Sequence, residues 1–237
     1  MYTRAVASPL SRSFYSRPTL TVARQLLGCV LSRRVDGQIL RGRIVETEAY
    51  VGEEDLACHA RAGITPRTEP LYGPPGFAYV YLTYGMHYLL NAVTEAKGRP
   101  AAVLIRAVEP LQGIEWMEEA RGLAERHLLT SGPARLCRAF GLDLAWNRTD
   151  LCGTDLWIER GGSVGDPEVA TSPRIGCQNV PSPWAAIPWR FYVAGSPHVT
   201  PGRRPRKLLM TTASEIGNNR ASRNAPPGRI RDTPSRR

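Results

Sequence analysis

Asp36-Gly37 sits between two runs of strand-forming residues, CVLSRRV (29–35) and QILRGRIVETEAY (38–50). A two-residue loop of this type closes an antiparallel hairpin, because both positions tolerate positive φ. A second hairpin is expected where FAYVYLT and HYLLNAV flank Tyr84-Gly85-Met86, and AAVLIRAVEP (101–110) adds an apolar strand. Shorter strands are expected at DLWIER and RFYVAG. Helices are expected through VARQLLGC, capped by Thr19 or Thr21, over 111–128, and through ARLCRAFGL after Ser131-Gly132-Pro133. Antiparallel hairpins with segregated helices make the chain α+β.

The first hairpin runs directly into ETEAY, where the period of two puts Glu46, Glu48 and Tyr50 on one strand face. Ionised groups are costly to bury, so this face reads as the wall of a pocket rather than as core. Between 51 and 76 the chain is polar and rich in Gly and Pro, and a segment of that length inside a domain is more often functional than spacer.

Composition narrows the class. The 237 residues suffice for one large domain with tails, and no apolar run reaches membrane-spanning length. The N-terminus lacks the apolar stretch of a secretory signal, and a cytoplasmic location is expected. Five cysteines, odd in number and without a CxxC pair, argue against a disulfide framework or a zinc site. The net charge of +10 is concentrated at the C-terminus: residues 201–237 hold ten Arg/Lys and two acids. That tail reads as disordered and attracted to polyanions. The expected division is a loose arm at 1–13, one domain at 14–200 and the basic tail at 201–237.

Each candidate group has two readings. Glu46 and Glu48 suit acid–base work at a glycosidic carbon, or are solvent-facing acids on an edge strand. His59 is a base, a stacking group or an ordinary loop histidine; no second histidine stands at metal-like spacing. Tyr79 and Tyr81 stack on a ligand or simply belong to a half-buried sheet. Tyr84 sits where the second hairpin turns, and an exposed aromatic there calls for a reason. Arg106, amid apolar neighbours, needs a buried partner, most simply a pocket carboxylate.

The blocks RGRIVETEAYVGEEDLACHAR, GFAYVYLTYGMHYLLN, AAVLIRAVEPLQG, SGPARLC, RIG and RFYVAGSP, in this order, resemble the alkyladenine (3-methyladenine) DNA glycosylase family over about residues 14–200. The resemblance implies one mixed domain around a curved antiparallel sheet, with a protruding β-hairpin and flanking helices. It implies that Glu48 is the general base for the attacking water and that Arg106 places water or sugar opposite it. Tyr50 and His59 would stack against an extruded base, with Tyr81 closing the other side. Asn91 would exclude the exocyclic amino group of guanine, and Tyr84 would fill the gap left in the duplex. The backbone near Arg174-Ile175-Gly176 would complete the water site. The basic tail has no counterpart in the family.

The implied enzyme is a glycosylase that flips alkylated or deaminated purines out of double-stranded DNA and leaves an abasic site for a separate endonuclease. It would need no metal or organic cofactor, act as a monomer away from membranes, and associate with the nucleoid when bound to DNA. Strand cleavage by a bifunctional enzyme requires an amine nucleophile. Only Lys97 and Lys207 are lysines and neither lies in the matching blocks, so a monofunctional enzyme is expected. The competing readings are a hydrolase of free nucleosides and a non-catalytic nucleic-acid-binding module.

Overall fold

The computed structural model describes residues 8–201. In chain order these form α1 (Arg12–Tyr15), α2 (Thr19–Leu26), β1 (Val30–Val35), β2 (Gln38–Val51), β3 (Ala78–Thr83), β4 (His87–Val93), β5 (Ala101–Gln112), α3 (Ile114–Arg121), α4 (Arg126–Leu129), α5 (Pro133–Ala139), β6 (Leu156–Glu159), β7 (Val169–Ser172) and β8 (Arg190–Val193). All eight strands join one antiparallel sheet in the order β3-β4-β5-β2-β1-β6, and β8 pairs with both β2 and β7. The fold is α+β, as expected. Among the described residues, no helix is long and apolar enough to cross a membrane.

β2 organises the sheet because it is long enough to serve two partners along one edge. Its first half pairs with β1 through the Asp36-Gly37 turn, where both residues have positive φ (46° and 77°). Its second half, Glu46 to Glu48, pairs instead with β8. Along the other edge it pairs with β5 throughout, with register shifts on either side of Glu46. Ile44 is opposite Val108, Glu46 opposite Ala107 and Thr47 opposite Ile105, which leaves Val45 and Arg106 without a direct partner.

Such bulges change which face a strand presents. Leu40 and Ile44 lie in the main core, yet beyond the bulge it is Ala49 that does, while Thr47 Oγ1 donates to the Ala23 carbonyl of α2. Glu46, Glu48 and Tyr50 are thereby released to the opposite face. β5 makes the matching change: Val103, Ile105 and Val108 are core residues, whereas Ala102, Leu104 and Arg106 line a cavity.

The core face is covered by α2, α3 and α5, whose Val22, Leu26, Met117 and Leu136 are buried against it together with Phe140 just after α5. The opposite face carries a smaller cluster of Cys58, Ala60, Leu71, Tyr79, Val93 and Ala102, roofed by the 52–76 connection. That connection contains two 3-10 turns, His59–Ala62 and Glu69–Tyr72.

Several local expectations are corrected. Neither Thr19 nor Thr21 caps α2; the N-cap is Pro18, and the Thr19 hydroxyl donates to Glu95 at 2.6 Å. The helix expected over 111–128 is broken at Gly122, whose left-handed φ of 62° ends α3 before the four-residue α4 begins. Within the segment expected to be a loose arm, Leu10 is buried, its amide donates to the Ile158 carbonyl, and α1 begins at Arg12. Residues 1–7 and the expected basic tail beyond Pro201 lie outside the described residues.

Candidate active site

The sheet face freed by the bulge meets the 52–76 connection, the start of α5 and the loop after β7 around a cavity of about 430 Å³. Its lining includes Tyr50, His59, Tyr79, Tyr81, Tyr84, Asn91, Arg106, Ile175 and Cys177. Of the seven side chains to which the family resemblance gives roles, six therefore line one space. The seventh, Glu48, is fully buried immediately behind it and touches three lining residues.

Those contacts define the centre. The Tyr50 hydroxyl and the Arg106 guanidinium donate to Glu48 Oε2 at 2.8 and 3.1 Å, and the Ile175 amide donates to Oε1 at 2.7 Å. Gly176, with φ of 88°, allows the loop to turn directly after that amide. Burial, followed by the adjacent Glu48, pushes the Tyr50 phenol well up, so it remains a donor. Burial alone would lower Arg106, but Glu48 and then Glu46 outweigh it and its pKa is raised. A carboxylate held by two side-chain donors and one backbone donor has a fixed orientation, which an attacking-water base requires.

Glu46 is fully buried and is spent on other partners: it accepts from Arg106, Arg190 and the Thr200 amide. The edge-strand reading of the two glutamates is excluded, because β2 is an interior strand.

The aromatic wall has its own geometry. His59 and Tyr81 are in edge-to-face contact, centroids 4.5 Å apart, and Tyr79 lies 5.3 Å from Tyr81. No base fits between His59 and Tyr81, so these two rings belong to one wall rather than to opposite sides of a ligand. His59 Nδ1 is 3.0 Å from the Tyr79 hydroxyl. Burial, then Arg67 and Arg61, push the His59 imidazole down to about 4. It is neutral at physiological pH.

At the cavity mouth, Tyr84 is 86% exposed at the tip between β3 and β4 and adopts φ of 50°. A left-handed non-glycine residue is strained by roughly 1–2 kcal/mol, and nothing in the packing of this exposed ring compensates. Deeper in, Asn91 Nδ2 donates to the Tyr79 carbonyl at 3.0 Å across the hairpin, which fixes the amide with its oxygen as the remaining acceptor.

The Arg174 side chain and two cysteine thiols escaped the reading of the sequence, which names only the backbone near Arg174. Arg174, fully buried, makes a two-pronged ion pair with Asp55 at 2.5 and 2.8 Å and donates to the Ala49 carbonyl. Its guanidinium also lies 4.7 Å from the Tyr50 ring centroid, so one side chain ties the loop carrying Ile175 to the connection carrying His59. Cys58 and Cys177 line the cavity as free thiols, and burial raises both. Among the described residues, no group of three or more His, Cys, Asp or Glu is arranged to hold a metal ion.

The family description of methylpurine-DNA glycosylases matches residues 13–197. Three relatives share the name "Putative 3-methyladenine DNA glycosylase". The one from Myxococcus xanthus is 50% identical over 196 residues, covering 83% of this chain and 95% of the relative. The one from Methanocella arvoryzae is 49% identical over 193 residues, covering 81% and 95%. The one from Chlorobaculum tepidum is 44% identical over 202 residues, covering 84% and 95%. With a family match across most of the chain and relatives of this identity aligned almost end to end, the protein belongs to the methylpurine-DNA glycosylase family.

Proposed function

We propose that this DNA glycosylase of base excision repair is monofunctional, that it takes alkylated or deaminated purines extruded from duplex DNA into the 430 Å³ cavity, and that Glu48 activates the water that cleaves the glycosidic bond. The observation that carries the reading is the triple-held Glu48 at the edge of an aromatic cavity whose mouth bears an exposed tyrosine.

A base within a duplex hides its sugar carbon, so the nucleotide must leave the stack at a cost of a few kcal/mol. Damaged bases stack or pair poorly, which lowers that cost. Tyr84, projecting from the hairpin tip, recovers part of the lost stacking as a wedge. Alkylation at N3 or N7 leaves the purine cationic. Aromatic faces favour a cation by roughly 0.5–2 kcal/mol each, and a neutral His59 adds no repulsion. Tyr50 supplies one face, and the His59–Tyr81 wall the other. The Asn91 oxygen accepts hydrogen bonds from the base edge and sterically opposes the amino group of guanine. Glu48 takes the proton of the water, while its charge offsets the positive charge developing on the sugar. Arg106 holds Glu48 and the water in place. Hydrolysis of this kind calls on no metal or organic cofactor.

Lys97 is exposed and does not line the cavity, which supports hydrolysis over a Schiff-base route. The protein is proposed to work as a monomer on double-stranded DNA in the cytoplasm, at the nucleoid when bound, with an abasic-site endonuclease acting on its product. The test is base release from duplexes carrying one hypoxanthine, ethenoadenine or 7-methylguanine. Free base and an alkali-labile site are expected, with no covalent adduct on borohydride treatment. A trapped adduct would contradict the monofunctional assignment, and activity confined to free nucleosides would contradict the DNA assignment.

A further inference from the structure

Arg106 faces Glu48 through one nitrogen only. Its Nε is given to Glu46, at 2.9 Å. Glu46 Oε1 also accepts from Arg190 Nε at 2.6 Å, and its Oε2 accepts from the Thr200 amide at 2.6 Å. Arg190 in turn donates to the Ser172 hydroxyl at 3.0 Å. Four buried groups thus alternate in sign across three neighbouring strands: Arg190 on β8, Glu46 on β2, Arg106 on β5 and Glu48 on β2. Together they carry no net charge. Removing Arg190, Glu46 or Arg106 alone leaves an uncompensated charge near Glu48, the group that has to accept a proton, in surroundings that screen it weakly.

We propose that Glu46 and Arg190 are a positioning pair for the reaction: Arg190 neutralises Glu46, Glu46 holds Arg106 by Nε, and the pair thereby sets the pH range over which Glu48 serves as base. The inference rests on the glycosylase reading above. Glu46 suits the role because it stays ionised. Burial would raise its pKa, but Arg106, Arg190 and the Thr200 hydrogen bonds outweigh burial and lower it.

The other groups facing Glu48 carry no net charge. Tyr50 on β2, Tyr81 on β3 and Cys177 in the loop after β7 are all raised by burial and remain protonated. Arg174 in that loop is neutralised by Asp55 of the 52–76 connection.

The test is the acid limb of single-turnover excision of 7-methylguanine, whose cationic ring adds no leaving-group protonation of its own. Glu46→Gln leaves two arginines around Glu48 and moves the limb to lower pH by about one unit. Arg190→Gln leaves Glu46 unbalanced and moves it about one unit higher. The double variant restores neutrality and returns the limb to the wild-type position, and Arg190→Lys, which keeps the charge, leaves it there. Circular dichroism and thermal melts establish which variants fold; if Arg190→Gln does not, Glu46→Gln and the double variant carry the test. A merely structural role lowers rate or stability at an unmoved limb. Limbs that stay put, or that shift in the same direction in both single variants, overturn the inference while leaving the glycosylase reading intact. A wild type that releases no base overturns both.

Discussion

His59 shows how its surroundings can keep one side chain uncharged. Burial, then Arg67 and Arg61, hold it down to about 4, against about 6.5 for an unfolded imidazole. As pH falls through 6.5 the unfolded chain takes up a proton that the folded chain refuses until about 4. Stability therefore declines across that window, by on the order of 3 kcal/mol in total, and is indifferent to this group above it. Urea denaturation of His59→Gln should lose that slope between pH 6.5 and 4; an unchanged slope would show that the histidine is not the group responsible. Neutral aromatic surroundings are legible in the sequence, since His59, Tyr79 and Tyr81 stand in two short blocks. The supports of Glu48 are not. Ile175 lies 127 residues from it, and Arg190 lies 144 residues from Glu46, so no local spacing announces either. The Ile175 backbone is anticipated through the family resemblance alone.

The hairpin of β3 and β4 carries the clearest separation of stability from function. Its strands are readable from alternation, and its tip from Tyr84-Gly85. Tyr84 is exposed and left-handed, so Tyr84→Gly removes strain and little packing. The melting temperature should stay level or rise slightly, while excision from duplex DNA slows and lesion-bound complexes dissociate faster. A variant that destabilises the fold would contradict the reading of the tip as functional strain. Other elements are less legible for definite reasons. The bulge around Glu46 and Arg106 arises only when β2 and β5 are paired, and it decides which face each residue takes. β7 is a four-residue strand, VATS, too short for alternation to stand out. Gly122 interrupts an otherwise continuous amphipathic pattern, and its left-handed conformation divides α3 from α4.

On the scale of the whole molecule, the basic surplus and the described cavity lining fall in different parts of the sequence. Of the net +10, the C-terminal residues 201–237 contribute ten basic and two acidic groups, while the described residues that line the cavity fall between Tyr50 and Cys177. Ending the chain after Pro201 should weaken non-specific duplex binding. It should also flatten the salt dependence of that binding, by roughly 0.9 in log–log slope for each phosphate the tail had neutralised. Single-turnover excision at saturating enzyme should be unchanged, and a large fall there would place the tail in the reaction itself. Glu48 is the pivot of the site, held by the Tyr50 hydroxyl, the Arg106 guanidinium and the Ile175 amide. The most direct measurement compares wild type with Glu48→Gln in single-turnover excision on a lesion duplex, alongside equilibrium binding of the same duplex. Glu48→Gln is expected to lower the rate at least about 100-fold with affinity within a few-fold of wild type. Undiminished excision by the glutamine variant, or a loss explained entirely by failure to bind, would contradict the role of Glu48 as base.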